Sequence, residues 1–111
     1  MGSVENKVQR ACMEYLTLRG HFPIRINTQG IPLATPRGMI TMGGPRFRPS
    51  PSKGVSDIIC VLKGGRMAAI EVKSKTGRVA PHQQEFLDKV AAHGGLALVV
   101  RSIQDLINAG I

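Results

Sequence analysis

Residues 54–73 carry the sequence GVSDIICVLKGGRMAAIEVK, in which two apolar runs flank Lys63-Gly64-Gly65. Apolar runs rich in β-branched residues on either side of a short glycine-containing segment are typical of a β-hairpin. The strand ends farthest from the turn carry charge, with Asp57 on the first strand and Glu71 and Lys73 on the second. Strands that only filled a core would be apolar to their ends, so these charges indicate that the hairpin does more than pack.

The length of the turn decides which of these side chains face each other. If Lys63-Gly64-Gly65 is a three-residue loop with a glycine in the left-handed conformation, Asp57 lies directly opposite Glu71. Because side chains alternate along a strand, Lys73 then shares a face with both carboxylates. A two-residue turn on the glycines alone would instead place Asp57 opposite Val72, unless a bulge restored the first register.

Two carboxylates this close repel each other, and three arrangements relieve the repulsion. One carboxyl stays protonated, both bind a cation, or the strands separate. Two carboxylates with backbone carbonyls and water suit Mg²⁺, or Mn²⁺ in its place. The Lys73 ammonium beside them would orient a hydrolytic water or neutralise charge developing on a phosphate, rather than act as a free amine base.

These residues resemble the PD-(D/E)xK nuclease superfamily, in which an aspartate and a Glu-x-Lys motif lie across a hairpin. The fuller pattern is similar to the VRR-Nuc (virus-type replication-repair nuclease) family: Gly54-x-Ser56-Asp57, Glu71-Val72-Lys73, and then Gly77 followed by Gln83. The resemblance extends from the first helix to the last strand, and Ser56 stands where the family often has proline. It implies an α/β fold, a mixed β-sheet flanked by helices in the α-β-β-β-α-β-α order of a restriction-endonuclease-like core.

The resemblance also implies a function, that of a metal-dependent endonuclease that hydrolyses DNA phosphodiester bonds. The catalytic residues would be Asp57, Glu71, Lys73, Gln83 and Glu5. The metal, Mg²⁺ with Mn²⁺ as a substitute, would be held by Asp57, Glu71 and the backbone carbonyl of Val72. Compact stand-alone members similar to this chain are phage-type proteins that act as homodimers on branched DNA such as four-way (Holliday) junctions. That substrate is implied by the resemblance alone.

Two of these residues also have an ordinary structural explanation. Glu5 falls in the first turn of a helix predicted from Ser3 to about Arg19, where a carboxylate stabilises the helix dipole. Gln83 falls on the apolar side of a helix that opens at Pro81, where it would hydrogen-bond the backbone at the helix start. The resemblance instead places Glu5 near the metal and gives Gln83 a contact with the lysine, a water or a phosphate.

Two further strands are predicted from their apolar patterns. Residues 21–27 alternate between apolar and polar side chains, which predicts a strand. Pro23 indicates either that this strand lies at the edge of the sheet or that the strand begins near this residue. Leu96–Val100 is short and continuously apolar, which predicts a buried central strand.

Length and composition bound the class of protein. The 111 residues predict one domain spanning 1–111. A net charge of +8, from 15 basic and 7 acidic residues, indicates a polyanion partner, although a basic surface that only aids solubility would look the same. Aromatic residues make up 4%, which argues against a stacking platform for single strands and favours contact with duplex or branched DNA. With no apolar run of about 18 residues, we expect no membrane association and a cytoplasmic location in a bacterium or a phage-infected host.

A long segment, residues 28–53, is rich in glycine and proline and contains no acidic residue. It is predicted to be an irregular basic loop that contacts phosphates, because loops of this length in a compact domain are usually functional or disordered. The residues expected to bind DNA lie in this loop and in the connection after the hairpin: Arg37, Arg46, Arg48, Lys53, Lys75 and Arg78. Two alternatives stay open, a non-catalytic DNA-binding module and a restriction-like nuclease with sequence preference.

Overall fold

The computed structural model describes residues 4–26, 31–32, 47–48 and 54–111. In chain order the elements in these ranges are α1 (Val4–Leu18), β1 (Phe22–Arg25), β2 (Ile31–Pro32), β3 (Phe47–Arg48), β4 (Ile58–Val61), β5 (Met67–Val72), α2 (Pro81–Ala92), β6 (Leu96–Val100) and α3 (Ile103–Asn108). None of the helices in these ranges is long and apolar enough to cross a membrane.

Four of the strands form one mixed sheet in the spatial order β1-β4-β5-β6. β1 pairs antiparallel with β4, and β4 with β5, whereas β5 and β6 run parallel. A parallel pair needs a crossover connection, and α2 supplies it. The predicted α/β class and the order of the long elements are therefore confirmed.

Each face of the sheet has its own apolar core. On one face, α1 and α3 pack on the sheet through Cys12, Leu16 and Leu106, which are fully buried. On the other face, α2 packs on it through Leu87 and Val90 around Ala69. Because side chains alternate along β5, residues 69, 71 and 73 all point toward the face that α2 covers. Alternation thus sends Glu71 and Lys73 to the α2 side of the sheet.

The β4–β5 hairpin has the register that places the two carboxylates opposite each other. Ile58 pairs with Ile70, and one further step along the antiparallel ladder brings Asp57 opposite Glu71. At the other end, Leu62 N–H donates to Arg66 O over 2.7 Å, which closes a three-residue turn. Both turn glycines have positive φ angles, 101° for Gly64 and 102° for Gly65, which residues with a Cβ rarely adopt. Of the two turn lengths that the sequence leaves open, the structure therefore has the three-residue loop, with the hairpin itself as predicted.

The edges of the sheet agree with one prediction and correct another. β1 is an edge strand, as Pro23 predicts. β6 was predicted to be central but lies at the opposite edge of the sheet that the described residues form. Its continuous apolar run has another cause, because α2 covers one of its faces and the core beneath α1 and α3 covers the other.

The segment predicted as an irregular loop contains two short strands. Ile31–Pro32 pairs antiparallel with Phe47–Arg48, with Ile31 opposite Arg48. The prediction that residues 28–53 are irregular throughout is therefore wrong at these four positions. The other residues of the segment lie outside the described ranges.

Candidate active site

The candidate site lies at the end of the β4–β5 hairpin farthest from its turn. Asp57 directly precedes β4, Glu71 lies near the end of β5, and Lys73 follows that strand. All three side chains point toward the α2 side of the sheet because of the hairpin register. The fold thus brings together the three charged residues that the sequence singles out.

Asp57 is held in place by the neighbouring strand. Its Oδ2 accepts a hydrogen bond from the backbone N–H of Val72 over 2.8 Å. In turn, the Asp57 carbonyl accepts the N–H of Ile26 over 2.8 Å, which continues the β1–β4 pairing by one step. The half-buried aspartate is therefore tied to β5 through its side chain and to β1 through its backbone.

Glu71 is a buried carboxylate, and only one of its two oxygens has a hydrogen-bond partner among the described residues. Its residue exposure is only 1%. Oε2 accepts a hydrogen bond from Gln83 Nε2 over 3.1 Å and lies 3.6 Å from Lys73 Nζ. Oε1 is fully buried and has no hydrogen-bond partner among the described residues. Buried polar atoms are nearly always paired, so an orphaned carboxylate oxygen points to a missing proton or cation.

The protonation of Glu71 is shifted by its surroundings. Burial, and then the charge of Asp57, raise the pKa of the Glu71 carboxyl from 4.5 to about 8. Lys73 lowers that pKa but does not compensate for the other two effects. Two adjacent carboxylates without a cation thus prefer to hold a single negative charge between them.

Gln83 connects the start of α2 to Glu71. Its Oε1 accepts the backbone N–H of Ala80 over 2.9 Å, while its Nε2 donates to the glutamate. The structural interpretation of this glutamine is confirmed at its oxygen, and its nitrogen contacts Glu71, another predicted site residue. The predicted active-site role of Gln83 stays a prediction. Pro81 occupies the first turn of the helix, where its missing N–H costs nothing.

Gly54 allows the start of β4 to approach this helix. Its φ is +90°, and a Cβ built on it would lie 3.1 Å from the carbonyl oxygen of His82, the neighbour of Gln83. The residue is buried. The glycine of the Gly-x-x-Asp motif thus meets both a steric and a conformational requirement.

The residues present fit a small, hard divalent cation. Asp57 and Glu71 supply carboxylate oxygens, and the unpartnered Oε1 of Glu71 is available as a ligand. In the described part of the chain, no three histidine, cysteine, aspartate or glutamate side chains gather into a metal cluster. Mg²⁺ commonly needs only one or two protein carboxylates, with water and phosphate oxygens completing its octahedron. The donor set therefore suits Mg²⁺, and suits zinc poorly.

Glu5 is not gathered with the other carboxylates. It lies in the first turn of α1, where its side chain is exposed, and α1 packs on the face opposite α2. The C-terminal end of α1 leads into β1 near the hairpin turn, at the end of the sheet away from Asp57. Its predicted role in the site stays a prediction.

The predicted DNA-binding residues are only partly described. Lys75 and Arg78 lie in the connection between β5 and α2, and both are exposed. Arg48 falls in β3, and nothing further is described of its side chain. The remaining three lie outside the described ranges: Arg37, Arg46 and Lys53.

Two residues near the site escape prediction from the sequence. Arg101 follows β6, and its guanidinium donates to the carbonyls of Ser74 and Gly77 in the connection after Lys73. Ser56 is fully buried, and its hydroxyl has no hydrogen-bond partner within the described ranges. No motif marks Arg101, whereas the departure of Ser56 from the proline of the family pattern is a signal that it differs.

Comparisons with known proteins agree with this geometry. One solved structure, named "VRR_NUC domain", matches with a TM-score of 0.66 and 19% identity over 96% of this chain and 94% of that chain. Another, named "VRR_NUC domain protein", matches with a TM-score of 0.56 and 19% identity over 98% and 86%. At this identity the two structures show the fold alone, and no curated protein matches the chain. The family model of the VRR-NUC domain matches residues 47–104, more than half of the sequence, and the chain therefore belongs to the VRR-NUC family of nuclease domains.

Proposed function

We propose that this nuclease domain is a Mg²⁺-dependent endonuclease that hydrolyses DNA phosphodiester bonds and acts as a homodimer on branched DNA such as four-way junctions. Family membership gives the coarser part, a nuclease with DNA as its partner. One observation carries the metal dependence. The buried Glu71 carboxylate lies beside Asp57 and has an oxygen with no hydrogen-bond partner among the described residues.

Asp57, Glu71 and the Val72 carbonyl would hold the cation, which when bound supplies Lewis-acid stabilisation of charge on the phosphate. The chain itself supplies orientation. Gln83 fixes one oxygen of Glu71, and the Val72 N–H fixes one oxygen of Asp57. Carboxylates held in this way need little rearrangement when substrate binds, which favours catalysis.

Lys73 is suited to act on the water and on the phosphate. Its ammonium lies 3.6 Å from Glu71 Oε2, and the Lys73 side chain is only 13% exposed. A compact cation held there can donate a hydrogen bond to the attacking water or to a phosphate oxygen as negative charge develops. A Lys73→Ala variant would keep the carboxylates and lose this donor.

Branched DNA is the finer part of the proposal. Two copies related by a twofold axis would present two sites of opposite polarity, which matches the strand symmetry of a four-way junction. The charge of +8 supports binding to the DNA backbone. The 4% aromatic content favours duplex arms over stacked single strands.

The test is cleavage of a labelled four-way junction and of a matched linear duplex, with Mg²⁺ or with EDTA. Wild type is compared with Lys73→Ala and with Lys63→Ala, which removes the same charge from the turn at the far end of the hairpin. We expect Mg²⁺-dependent nicking of the junction that only Lys73→Ala abolishes. Equal cleavage of both DNAs would overturn the branched substrate, and binding without cleavage under any condition would overturn the nuclease activity.

A further inference from the structure

A tight turn joins the two parts of the candidate site. Lys73 ends the hairpin, Gln83 lies in α2, and the turn Ser74–Gly77 begins the connection between them. Within it, Gly77 N–H donates to Ser74 O over 3.2 Å and to Ser74 Oγ over 3.1 Å. Lys75 lies inside the turn and Arg78 directly follows it.

Arg101 holds this turn from the neighbouring strand. Its Nη1 donates to Gly77 O over 2.8 Å and also to Ser74 O. The Arg101 backbone is fixed as well, because its N–H donates to Asp105 Oδ2 over 2.7 Å. Arg101 is half-buried and is held both at its backbone and at its side chain.

The pairing of β5 with β6 explains why Arg101 can reach the turn. Val72 pairs with Val100, and Lys73 N–H donates to the Val100 carbonyl over 3.0 Å. Arg101 thus leaves β6 next to the point where the chain leaves β5. Nη1 carries two hydrogens, one for each carbonyl, and an arginine side chain places this nitrogen one bond farther from Cα than the ammonium of a lysine.

We propose that Arg101 is a positioning residue for DNA binding, because it fixes the backbone of the Ser74–Gly77 turn that presents Lys75 and Arg78 to the phosphates. This inference rests on the proposed function and on the predicted role of those two residues in DNA binding. Both side chains are exposed and carry no ion pair among the described residues. Fixing the backbone of the turn before binding removes an entropy cost that would otherwise oppose association.

The chain offers a matched control at the opposite end of the sheet. Arg66 also binds two backbone carbonyls, since its Nε donates to Gly94 O over 3.1 Å and its Nη2 to Gly95 O over 3.4 Å. It holds the turn between α2 and β6, which is far from Lys73. Arg66→Ala therefore removes the same charge and the same kind of contact without touching the proposed DNA-binding turn.

The experiment measures the Kd for a four-way junction and for a linear duplex in EDTA, over a range of salt concentrations, so that no cleavage intervenes. The single variants are Arg101→Ala, Arg101→Lys and Arg66→Ala. The double variant Lys75→Ala/Arg78→Ala is made both with and without Arg101→Ala. Urea unfolding of every variant gives the fraction folded, and Kd values are corrected for it.

We expect Arg101→Ala to raise the Kd about threefold to tenfold, the scale of fixing the backbone of about one further residue on binding. Arg101→Lys should not restore affinity, because a lysine keeps the charge but its ammonium lies one bond short of the position of Nη1. In the Lys75→Ala/Arg78→Ala background, Arg101→Ala should change neither the Kd nor the salt slope. Arg66→Ala should leave the Kd within twofold of wild type.

Four results would overturn the proposal. Full rescue by Arg101→Lys, or a further fall of about 1 in the salt slope in the double-variant background, would make Arg101 a direct phosphate contact. An equal loss of affinity in Arg66→Ala would make the effect one of general stability. Wild-type affinity in Lys75→Ala/Arg78→Ala would remove the turn from the DNA interface altogether. Because binding in EDTA is the readout, a failure of Mg²⁺-dependent cleavage would be seen separately.

Discussion

The side-chain amide of Gln83 donates a hydrogen bond to the buried carboxylate of Glu71, over 3.1 Å between Nε2 and Oε2. The same amide accepts the N–H of Ala80 through its oxygen, so its orientation is fixed by the helix start. One glutamine thereby couples the geometry of α2 to that of the hairpin. The carboxylate therefore cannot rotate freely.

Replacing Gln83 tests this coupling. Gln83→Ala should lower kcat/KM about 10- to 100-fold, as is common when a residue that orients a metal ligand is lost. Loss of the contact with Ala80 should also reduce the free energy of unfolding by about 1 kcal/mol. Gln84→Ala is the control, because the neighbouring exposed glutamine bonds only Asp88 and should keep full activity. Equal losses in both variants would contradict a specific role for Gln83.

The raised pKa of Glu71 predicts how stability depends on pH. The folded state holds a proton on this carboxyl up to about pH 8, whereas the unfolded state releases it near 4.5. The favourable contribution is therefore complete below the unfolded pKa and is lost as pH rises through the folded pKa. Without metal, the free energy of unfolding should therefore decrease as the pH rises from 4.5 to about 8. Urea titrations in EDTA at several pH values measure this slope.

Glu71→Gln is the control for that slope, because a neutral amide of the same shape does not titrate. The variant should show a smaller fall in stability across the window and should lose stabilisation by Mg²⁺. Wild type should be stabilised more by Mg²⁺ near pH 8 than near pH 5.5, since a cation competes with the proton for the carboxylate. An Mg²⁺ effect that is equal in wild type and Glu71→Gln would count against this carboxylate as a ligand.

Substitutions at Gly54 and Gly94 distinguish a steric requirement for glycine from a requirement for positive φ. Both have φ near +90°, but a Cβ on Gly54 would lie 3.1 Å from His82 O, whereas a Cβ on Gly94 would meet nothing within 4 Å. Gly94→Ala should cost about 1 kcal/mol of stability and leave cleavage unchanged. Gly54→Ala should cost more and should also reduce cleavage, because it displaces the start of α2 that carries Gln83. Circular dichroism melts and junction cleavage measure the two effects.

Replacing Ser56 should stabilise the protein, in contrast to the glycine substitutions. Its hydroxyl is fully buried without a hydrogen-bond partner among the described residues, which destabilises the folded state. Ser56→Ala should therefore raise the free energy of unfolding by about 1 kcal/mol and leave cleavage within twofold of wild type. A loss of stability in this variant would mean that the hydroxyl has a partner, such as a buried water.

The hairpin follows from local rules, which is why the sequence alone predicts it. Alternation fixes which side chains share a face, but the two turn glycines allow two turn lengths. The pairing of Asp57 with Glu71 is therefore one of two registers that the sequence allows, and the structure decides between them. Gln83 was also predictable, because helical spacing places it on the apolar side of α2.

Features that depend on distant pairing were not predictable in this way. β6 is apolar because helices cover both of its faces, and this pattern does not distinguish an edge strand from a central one. Arg101 reaches Ser74 and Gly77 only because β5 and β6 run parallel, which no local pattern reveals. The strands β2 and β3 are two residues each, too short for any periodicity to show.

The Lys63-Gly64-Gly65 turn lies about 17 Å from the carboxylates, judged by a rise of about 3.4 Å for each of the five steps along the strand from Asp57 to Leu62. Even so, its length decides whether those carboxylates meet. A one-residue insertion or deletion that neither a different loop nor a bulge absorbed would shift the strand pairing by one position and turn one carboxylate to the opposite face. Changes in the length of this turn should therefore be tolerated less well than in an ordinary exposed loop. The length of an exposed turn that takes no part in the chemistry would thus be constrained by the pairing of two carboxylates that it does not contact.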